Sequence, residues 1–449
     1  MRTRFGALLS TLALVVTACQ GTAVSPSPGA SAAAASAQPS ASPAAAQKLT
    51  IWARNYTVAQ DEPWKPAEAK FMAAHPNVTI DLSGAPYDPQ FQRIELSQAG
   101  QVSDIPDIFQ IDNIWLGQMT EEGIATNLDS YYANWADASD IADAYKESTK
   151  WNGSQHGVWW YSDIRLMIWN KDVFKKAGLD PEKGPTTWNE LMADAQAIKD
   201  KVPGVSPIGF PAASEEGTVD RFYSYLYMTG SNILSADNKT AVFNDAGGQK
   251  ALQLYVDLVK KGYTPKTVLS QTADDVSAAV FAGKYGIMLA TVGDGLSDRP
   301  KGMTPDQYKA TIGAALPPLC DGCSPATTAG GWMLIIDDKS PNKDLAWDMI
   351  KVVTDGKTMI PFEVQYTRVP VRKSGLAEAQ ATNAFQGDPY FAEEIKAAGV
   401  AHFPPFISKY TAMIETIWTA IQKAVNGDAS PKDALDAAAK DTNTILAGQ

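Results

Sequence analysis

The sequence predicts an α/β fold divided into two domains, and three observations lead there. Strand-like apolar runs alternate with amphipathic helical segments along the body, the pattern that sets helices against a largely parallel sheet. The body, residues 48–449, is too long for one ordinary core and comfortable for two. The segment before it has nothing with which to build a core. Taken in order, Leu49–Ala53 is the first strand, an alternating apolar run that opens the body at Lys48. Trp64–Ala74 is a helix with Pro66 in its first turn and Phe71 and Met72 on its apolar side; His75-Pro76-Asn77 stops it. Val78–Leu82 is the next strand, Phe91–Gly100 a helix, Ile108–Ile111 a strand, and Ile114–Glu122 a helix closed by Gly123. Farther along, Gly286–Ala290 is a strand. Pro341–Thr354 is a helix with Ser340 as its N-cap, and Pro431–Leu446 is another, preceded by Ser430. No internal repeat is visible.

Residues 1–18 read as a secretory signal. Arg2 and Arg4 supply a positive start, and Gly6 to Val16 is an apolar stretch too short to span a bilayer. Cys19 directly follows Val16-Thr17-Ala18, an arrangement that looks like a bacterial lipobox. On that reading Cys19 becomes the acylated, palmitate-bearing N-terminus, and several acyl chains on one residue anchor the chain stably to the outer face of the cell membrane. An ordinary signal peptide that contains a cysteine is the plainer alternative. Gly21 to Gln47 is almost entirely Ala, Ser, Pro, Gly and Thr, so 19–47 is expected to be a lipid-anchored disordered linker that spaces the body from the membrane. No later stretch is apolar enough to span a membrane.

The formal net charge of −12 argues against a nucleic-acid partner and against surface-wide attraction to anionic lipid. Twelve Trp and sixteen Tyr are more rings than an acidic chain needs for its core, which raises the question of a cleft lined with them. Cys320 and Cys323 flank Asp321-Gly322, turn chemistry that could bring their sulfurs together, and in an exported domain they are expected to form a local disulfide. A redox pair is the sharper reading, but the thioredoxin-like context is missing. A zinc site is less favoured, because His75, His156 and His402 are scattered. There is no Gly-x-Ser-x-Gly elbow and no His-Glu-x-x-His helix. Asp355-Gly356-Lys357-Thr358 resembles the end of a P-loop, but Lys351 stands where the first glycine is required. Carboxylate pairs suited to glycoside hydrolysis could still arise in three dimensions.

Several short blocks recur in a telling order. Leu49-Thr50-Ile51-Trp52 is followed by a helix ending in His75-Pro76-Asn77-Val78. Pro106-Asp107-Ile108 comes with Trp115, Gly123 and Leu128-Asp129. Trp169-Asn170-Lys171-Asp172, Phe174, Ala177-Gly178-Leu179 and Pro185-Thr186-Thr187-Trp188 form the most distinctive stretch. Phe281-Ala282-Gly283-Lys284, Gly330-Gly331-Trp332 and Ser340-Pro341-Asn342-Lys343 complete the set. Together these resemble the family 1 extracellular solute-binding proteins of bacterial ABC importers, the group that includes maltodextrin-binding protein; Trp169 replaces the usual Tyr. The resemblance implies a two-lobe periplasmic-binding-protein-like fold (type II), with ligand held between lobes. Lobe one would be 48–161 plus 332–376, and lobe two 162–331 plus 377–449. Crossings would fall near Tyr161 to Asp163, near Gly330-Gly331 and near Gly375; the glycine pair tolerates the wide backbone changes a hinge concentrates. The implied protein is a monomer that binds a sugar or oligosaccharide, closes, and docks on ABC permease subunits, with no cofactor, metal or catalytic group.

A sugar shows hydroxyls at its edge and apolar C–H patches on its faces, so rings stack on it while carboxylates, amides and Arg meet the hydroxyls. Such groups sit at the carboxyl ends of strands. That rule selects Arg54 and Asn55 after the first strand, Asp112 after Ile108–Ile111, and Trp115 one turn later; Asp112 could instead cap its helix and Trp115 could be core. Tyr161 and Asp163 flank the first crossing, and Asp163 interrupts an apolar run where burial without a partner would be costly. Trp160 reads as core. Trp332 follows the glycine pair as the leading stacking candidate, with inter-lobe packing as its plainer role. Tyr223, Tyr225 and Tyr227 lie on one helix that must bury at least one of them, so Tyr223 alone is carried forward. Asp294 between two glycines, Arg368 before Val369-Pro370, and Tyr410 complete the ligand-binding candidates. Three other readings stay open: a secreted glycoside-active enzyme, a sensor presenting its closed state to a membrane kinase, and a receptor for a polyamine or peptide.

Overall fold

The computed structural model describes residues 46–54, 64–101, 105–291, 303–388 and 390–448. Cys19, the linker, Asn55 and Asp294 therefore lie outside the described residues. The first six strands are β1 (Gln47–Arg54), β2 (Val78–Ala85), β3 (Ile108–Asp112), β4 (Lys150–Trp151), β5 (Ser154–Gln155) and β6 (Val158–Asn170). They are followed by β7 (Ser206–Gly209), β8 (Tyr285–Thr291), β9 (Ile312–Ala315), β10 (Thr327–Ile336) and β11 (Ala401–His402). Apart from the β4–β5 hairpin, they form one sheet in the order β2-β1-β3-β10-β6-β8-β7, with β9 also on β6 and β11 on β10.

The two longest strands organise this sheet. β10 pairs antiparallel with β3 through Trp332–Ile336 and with β6 through Ala329–Leu334. The far half of β6, Arg165 to Asn170, then carries β8 and β9. Each strand thus begins in one half of the sheet and ends in the other. Both are buried along their whole length, which explains why they read as nearly continuous apolar runs and not as alternating ones. Where they cross, the register slips between Trp332 and Met333, and Gly331 takes φ +139. A Cβ on Gly331 would lie 2.4 Å from the Tyr161 carbonyl oxygen, so only glycine lets the strands approach this closely.

Most elements form where the periodicity places them, and the differences have local causes. The helix Trp64–Ala74 buries Trp64, Ala67 and Phe71, but Met72 is 39% exposed. Adjacent helical positions point about 100° apart, so a narrow stripe takes one of Phe71 and Met72, and Phe71 has it. The expected helix at Ile114 opens as a 3-10 turn, Asn113–Trp115, before Leu116–Glu121 continues as α. Ser340 does not cap the next expected helix, which is Lys343–Val353. Its hydroxyl donates to Asp107 Oδ1 at 2.6 Å and accepts from the Asn342 N–H at 3.0 Å, tying the turn to β3. Ser430 does cap Pro431–Ala447, accepting from the Asp433 N–H at 3.1 Å. Glu216–Met228 is buried nearly all round, so Tyr223, Tyr225 and Tyr227 are all interior. Asp355-Gly356-Lys357-Thr358 is an N-cap and first turn, with Asp355 accepting from the Thr358 N–H at 3.0 Å. Cys320 and Cys323 are joined by a disulfide across a turn in which Gly322 has φ +73. Among the described residues no helix is long and apolar enough to cross a membrane.

Candidate ligand-binding site

Parallel strands bring the carboxyl ends of β1 and β3 side by side, and antiparallel β10 sets Trp332 opposite Asp112 on one side and Tyr161 on the other. Four expected residues meet at this corner. The Arg54 guanidinium lies over the Trp332 ring, 4.6 Å from its centroid. Trp115 meets Trp332 edge to face at 6.1 Å and is backed by Phe91 at 5.0 Å. Asp112 accepts from the Ile114 N–H at 3.3 Å, so it caps the short turn that carries Trp115. Behind them, Gln110 accepts from the Arg54 N–H at 3.0 Å and donates to the Tyr161 hydroxyl at 3.4 Å.

Asp163 anchors a second group. It pairs with Arg165 on the same strand and with Arg368, whose Nη1 lies 3.3 Å from Asp163 Oδ2. Arg165 in turn bonds Asp220, and Asp220 lies 3.3 Å from Arg221. All five side chains are buried. Burial by itself would raise the Asp163 carboxyl, but Arg165 and Arg368 together hold it below its usual value. The Arg368 guanidinium also lies 5.2 Å from the Tyr161 ring, which packs on Phe362 at 4.9 Å. Trp160, packed 4.7 Å from Trp64, is core. Nearby Glu363 and Glu394 are both 1% exposed, and burial pushes each carboxyl well above the usual range.

Tyr223 and Tyr410 form a third group. Both are buried, and burial above all keeps both phenols well above their ordinary value, followed by the field of Tyr227 at Tyr223 and that of Tyr223 at Tyr410. Glu216, at the start of the Tyr223 helix, links the groups: burial raises its carboxyl first, then the negative fields of Asp220 and of Asp112. The field of Asp112 reaches Glu216 from the other half of the sheet.

The structure therefore gathers Arg54, Asp112, Trp115 and Trp332 at one corner, Tyr161, Asp163 and Arg368 along the crossing strands, and Tyr223 with Tyr410 beyond them. Sequence reasoning missed Arg165, Asp220, Glu216 and Asn113. The Asp163-x-Arg165 alternation inside an apolar strand was the available signal, because two charges on one face of a buried strand require partners. The arginines of the second group are met by carboxylates, Asp163 between Arg165 and Arg368 and Asp220 between Arg165 and Arg221, while the Glu216 carboxyl is raised well above its usual value. Among the described residues no group of His, Cys, Asp and Glu is placed to hold a metal ion.

The sequence profile of the bacterial extracellular solute-binding proteins matches residues 56–358. A binding protein of Brucella abortus (strain 2308) is 25% identical over 408 residues, 90% of this chain and 95% of that protein. An ABC transporter solute-binding protein from Thermotoga lettingae TMO, solved with alpha-D-tagatose, superposes with a TM-score of 0.78 at 25% identity, covering 89% of this chain and 100% of that one. Maltose-bound MalE3 of T. maritima superposes with a TM-score of 0.75 at 23% identity, over 89% and 100% of the two chains. The fold is the two-lobe α/β architecture that the sequence led us to expect.

Proposed function

Because the chain belongs to the bacterial extracellular solute-binding proteins, we propose that it captures a neutral carbohydrate between its lobes and hands it to the membrane subunits of an ABC importer. The observation that carries this reading is the corner where the Trp115 and Trp332 indoles meet edge to face with Arg54 and Asp112 beside them. Indole faces suit the C–H patches of a sugar, and the flanking guanidinium and carboxylate suit its hydroxyls. The pairing of Asp163 and Asp220 with arginines disfavours a polyamine, which would need carboxylates without partners. The sugars held by the two structural neighbours point the same way.

In this reading the lobes are 48–161 plus 332–376 and 162–331 plus 377–449, with β6 and β10 as crossings. A solute that touches Trp115 and Asp112 on one side and Glu216 and Tyr410 on the other stabilises the closed arrangement, because it makes both sets of contacts only there. Cys19 tethers the chain to the outer membrane face through its acyl chains, and the linker gives it reach. The chain works as a monomer and by binding, without a cofactor.

The test is a thermal-shift and calorimetry screen of sugars, polyols, polyamines, glycerophosphodiesters and peptides. A carbohydrate present at about a hundred times its Kd contributes about 2.7 kcal/mol. At about 2.1 cal/mol/K per residue over roughly 400 residues, that is a rise of about 3 °C. A shift produced only by a polyamine or a peptide would refute the carbohydrate assignment.

A further inference from the structure

The bridge between Cys320 and Cys323 is a motif of the sequence that the proposed function leaves unused, and its surroundings are not those of a structural staple. It closes a turn of four residues, the short-loop limit in which a disulfide restrains the unfolded chain least. The turn is also held without it. The Cys323 N–H donates to the Cys320 carbonyl at 3.0 Å, the Leu319 N–H to the Thr186 carbonyl at 2.9 Å, and the Trp188 N–H to the Leu319 carbonyl at 2.8 Å. On the far side the Ser324 N–H donates to the Met228 carbonyl at 3.2 Å. One flank is thus anchored on the start of helix Trp188–Lys201 and the other on the end of helix Glu216–Met228. The turn keeps its place whether or not the sulfurs are joined.

The two cysteines differ in their surroundings. Cys320 is 4% exposed, whereas Cys323 is half-buried and follows the exposed Asp321 and Gly322. A cation stands beside the more accessible one: Lys250, on helix Ala246–Lys260, places its Nζ 3.8 Å from Cys323 Sγ. The ammonium is fixed there, since it donates to the Asp321 carbonyl at 2.9 Å and lies 5.9 Å from the centroid of the Trp188 ring. Asp321 is the one carboxylate of the turn, and it meets Lys250 through its carbonyl. The thiolate is the reactive form of cysteine, and a neighbouring ammonium favours it.

We propose that Cys320–Cys323 is a thiol–disulfide exchange site, with Cys323 as the interchange cysteine, Lys250 as its positioning residue and a dithiol as co-reactant. A thiolate of the dithiol attacks Cys323 Sγ. The bond between the two cysteines breaks, and its electron pair leaves on Cys320 Sγ, which takes up a proton. The second thiol of the co-reactant, deprotonated, then attacks its own partner sulfur in the mixed disulfide and expels Cys323 as a thiolate beside Lys250. The co-reactant is oxidised to a disulfide, and the cysteine pair is reduced by two electrons. This site lies outside the carbohydrate reading and stands or falls apart from it.

The test uses the full chain carrying Cys19→Ser, which leaves Cys320 and Cys323 as its only cysteines. The oxidised protein is opened with dithiothreitol at pH 7 and low salt, quenched with iodoacetamide and followed by mass. A unit charge at about 4 Å in water changes such an equilibrium about fivefold, so Lys250→Met should open about fivefold more slowly. Lys250→Arg should open about as fast as the parent, and about 1 M salt should shrink the difference. Loss of structure in Lys250→Met would speed opening, so slower opening cannot come from misfolding. In Cys320→Ser the alkylation rate of Cys323 should rise with a midpoint below the ordinary thiol value of about 8.5, and adding Lys250→Met should move that midpoint up. Equal opening rates in the parent and both Lys250 variants would overturn the proposal, as would a Cys323 that iodoacetamide reaches only in denaturant. Should Cys320→Ser fail to melt cooperatively, the opening rates of the bridged proteins decide alone.

Discussion

Gly331→Ala is the sharpest test of how the two halves of the sheet are joined. At φ +139 an L-residue is strained, at a cost of about 1–3 kcal/mol. The added Cβ would also lie 2.4 Å from the Tyr161 carbonyl oxygen, 2.8 Å from Ser162 Cα and 2.9 Å from a Trp159 ring atom. Two of those three are backbone atoms that cannot rotate away, so β6 and β10 must part, at a further cost of about 1–3 kcal/mol. The sum is about 2–6 kcal/mol. With an unfolding entropy of about 0.8 kcal/mol/K for roughly 400 residues, melting should fall by about 2–7 °C. The assay is calorimetric melting of Gly331→Ala beside Gly330→Ala, whose Cβ meets nothing closer than 3.4 Å. Equal melting temperatures for the two variants would refute the argument, because the cost is assigned to contacts and a backbone angle that position 331 alone has.

Other consequences follow from the same site. Asp163→Asn leaves Arg165 and Arg368 buried with a neutral partner, and should cost about 3–5 kcal/mol in melting experiments. Glu394 holds its proton in the folded state far above the range in which the unfolded chain loses it, so the folded form binds more protons and stability falls as pH rises above that range. Glu394→Gln should therefore gain in melting temperature over wild type at pH 7 relative to pH 4.5, and an equal difference at both pH values would count against a buried neutral carboxyl. Trp332→Ala should weaken carbohydrate binding about tenfold or more by calorimetry, whereas Trp332→Phe retains part of the affinity by keeping a ring. Reducing Cys320–Cys323 opens a short loop, so the loss should be about 2 kcal/mol, and a much larger loss would show that the staple holds more than its own turn.

The strands and helices that depend on local pattern were legible in the residues. Trp64–Ala74 and Pro431–Ala447 carry their own stop and start chemistry, and β1, β2 and β3 stand out as short apolar runs. What could not be read locally depends on partners brought from afar. The surplus charge of Asp163 was visible, but its partner Arg368 lies 205 positions farther along the chain. Nothing in the surroundings of Asp220 marks it as the partner of Arg165. Ser340 had the sequence signature of an N-cap, yet the helix begins at Lys343, and the Ser340 hydroxyl closes the preceding turn by accepting from the Asn342 N–H while donating to the distant Asp107. Local chemistry proposes a partner, and tertiary packing can offer a better one.

The same contrast explains why the crossing needs both glycines and ions. A strand that pairs in both halves of the sheet cannot be held by apolar packing alone, because apolar contacts are non-directional and would tolerate a slipped register. Directional groups resist slippage. The Gly331–Asn113 bond fixes β10 against the turn after β3, and the Arg368–Asp163–Arg165–Asp220 chain fixes β6 to elements on either side of it. Shifting β6 by one residue would turn Asp163 and Arg165 to the opposite face and take from the buried Arg368 and Asp220 the ionic partners that β6 supplies. The ionic chain thus sets the alignment of the two strands on which the tryptophan corner depends.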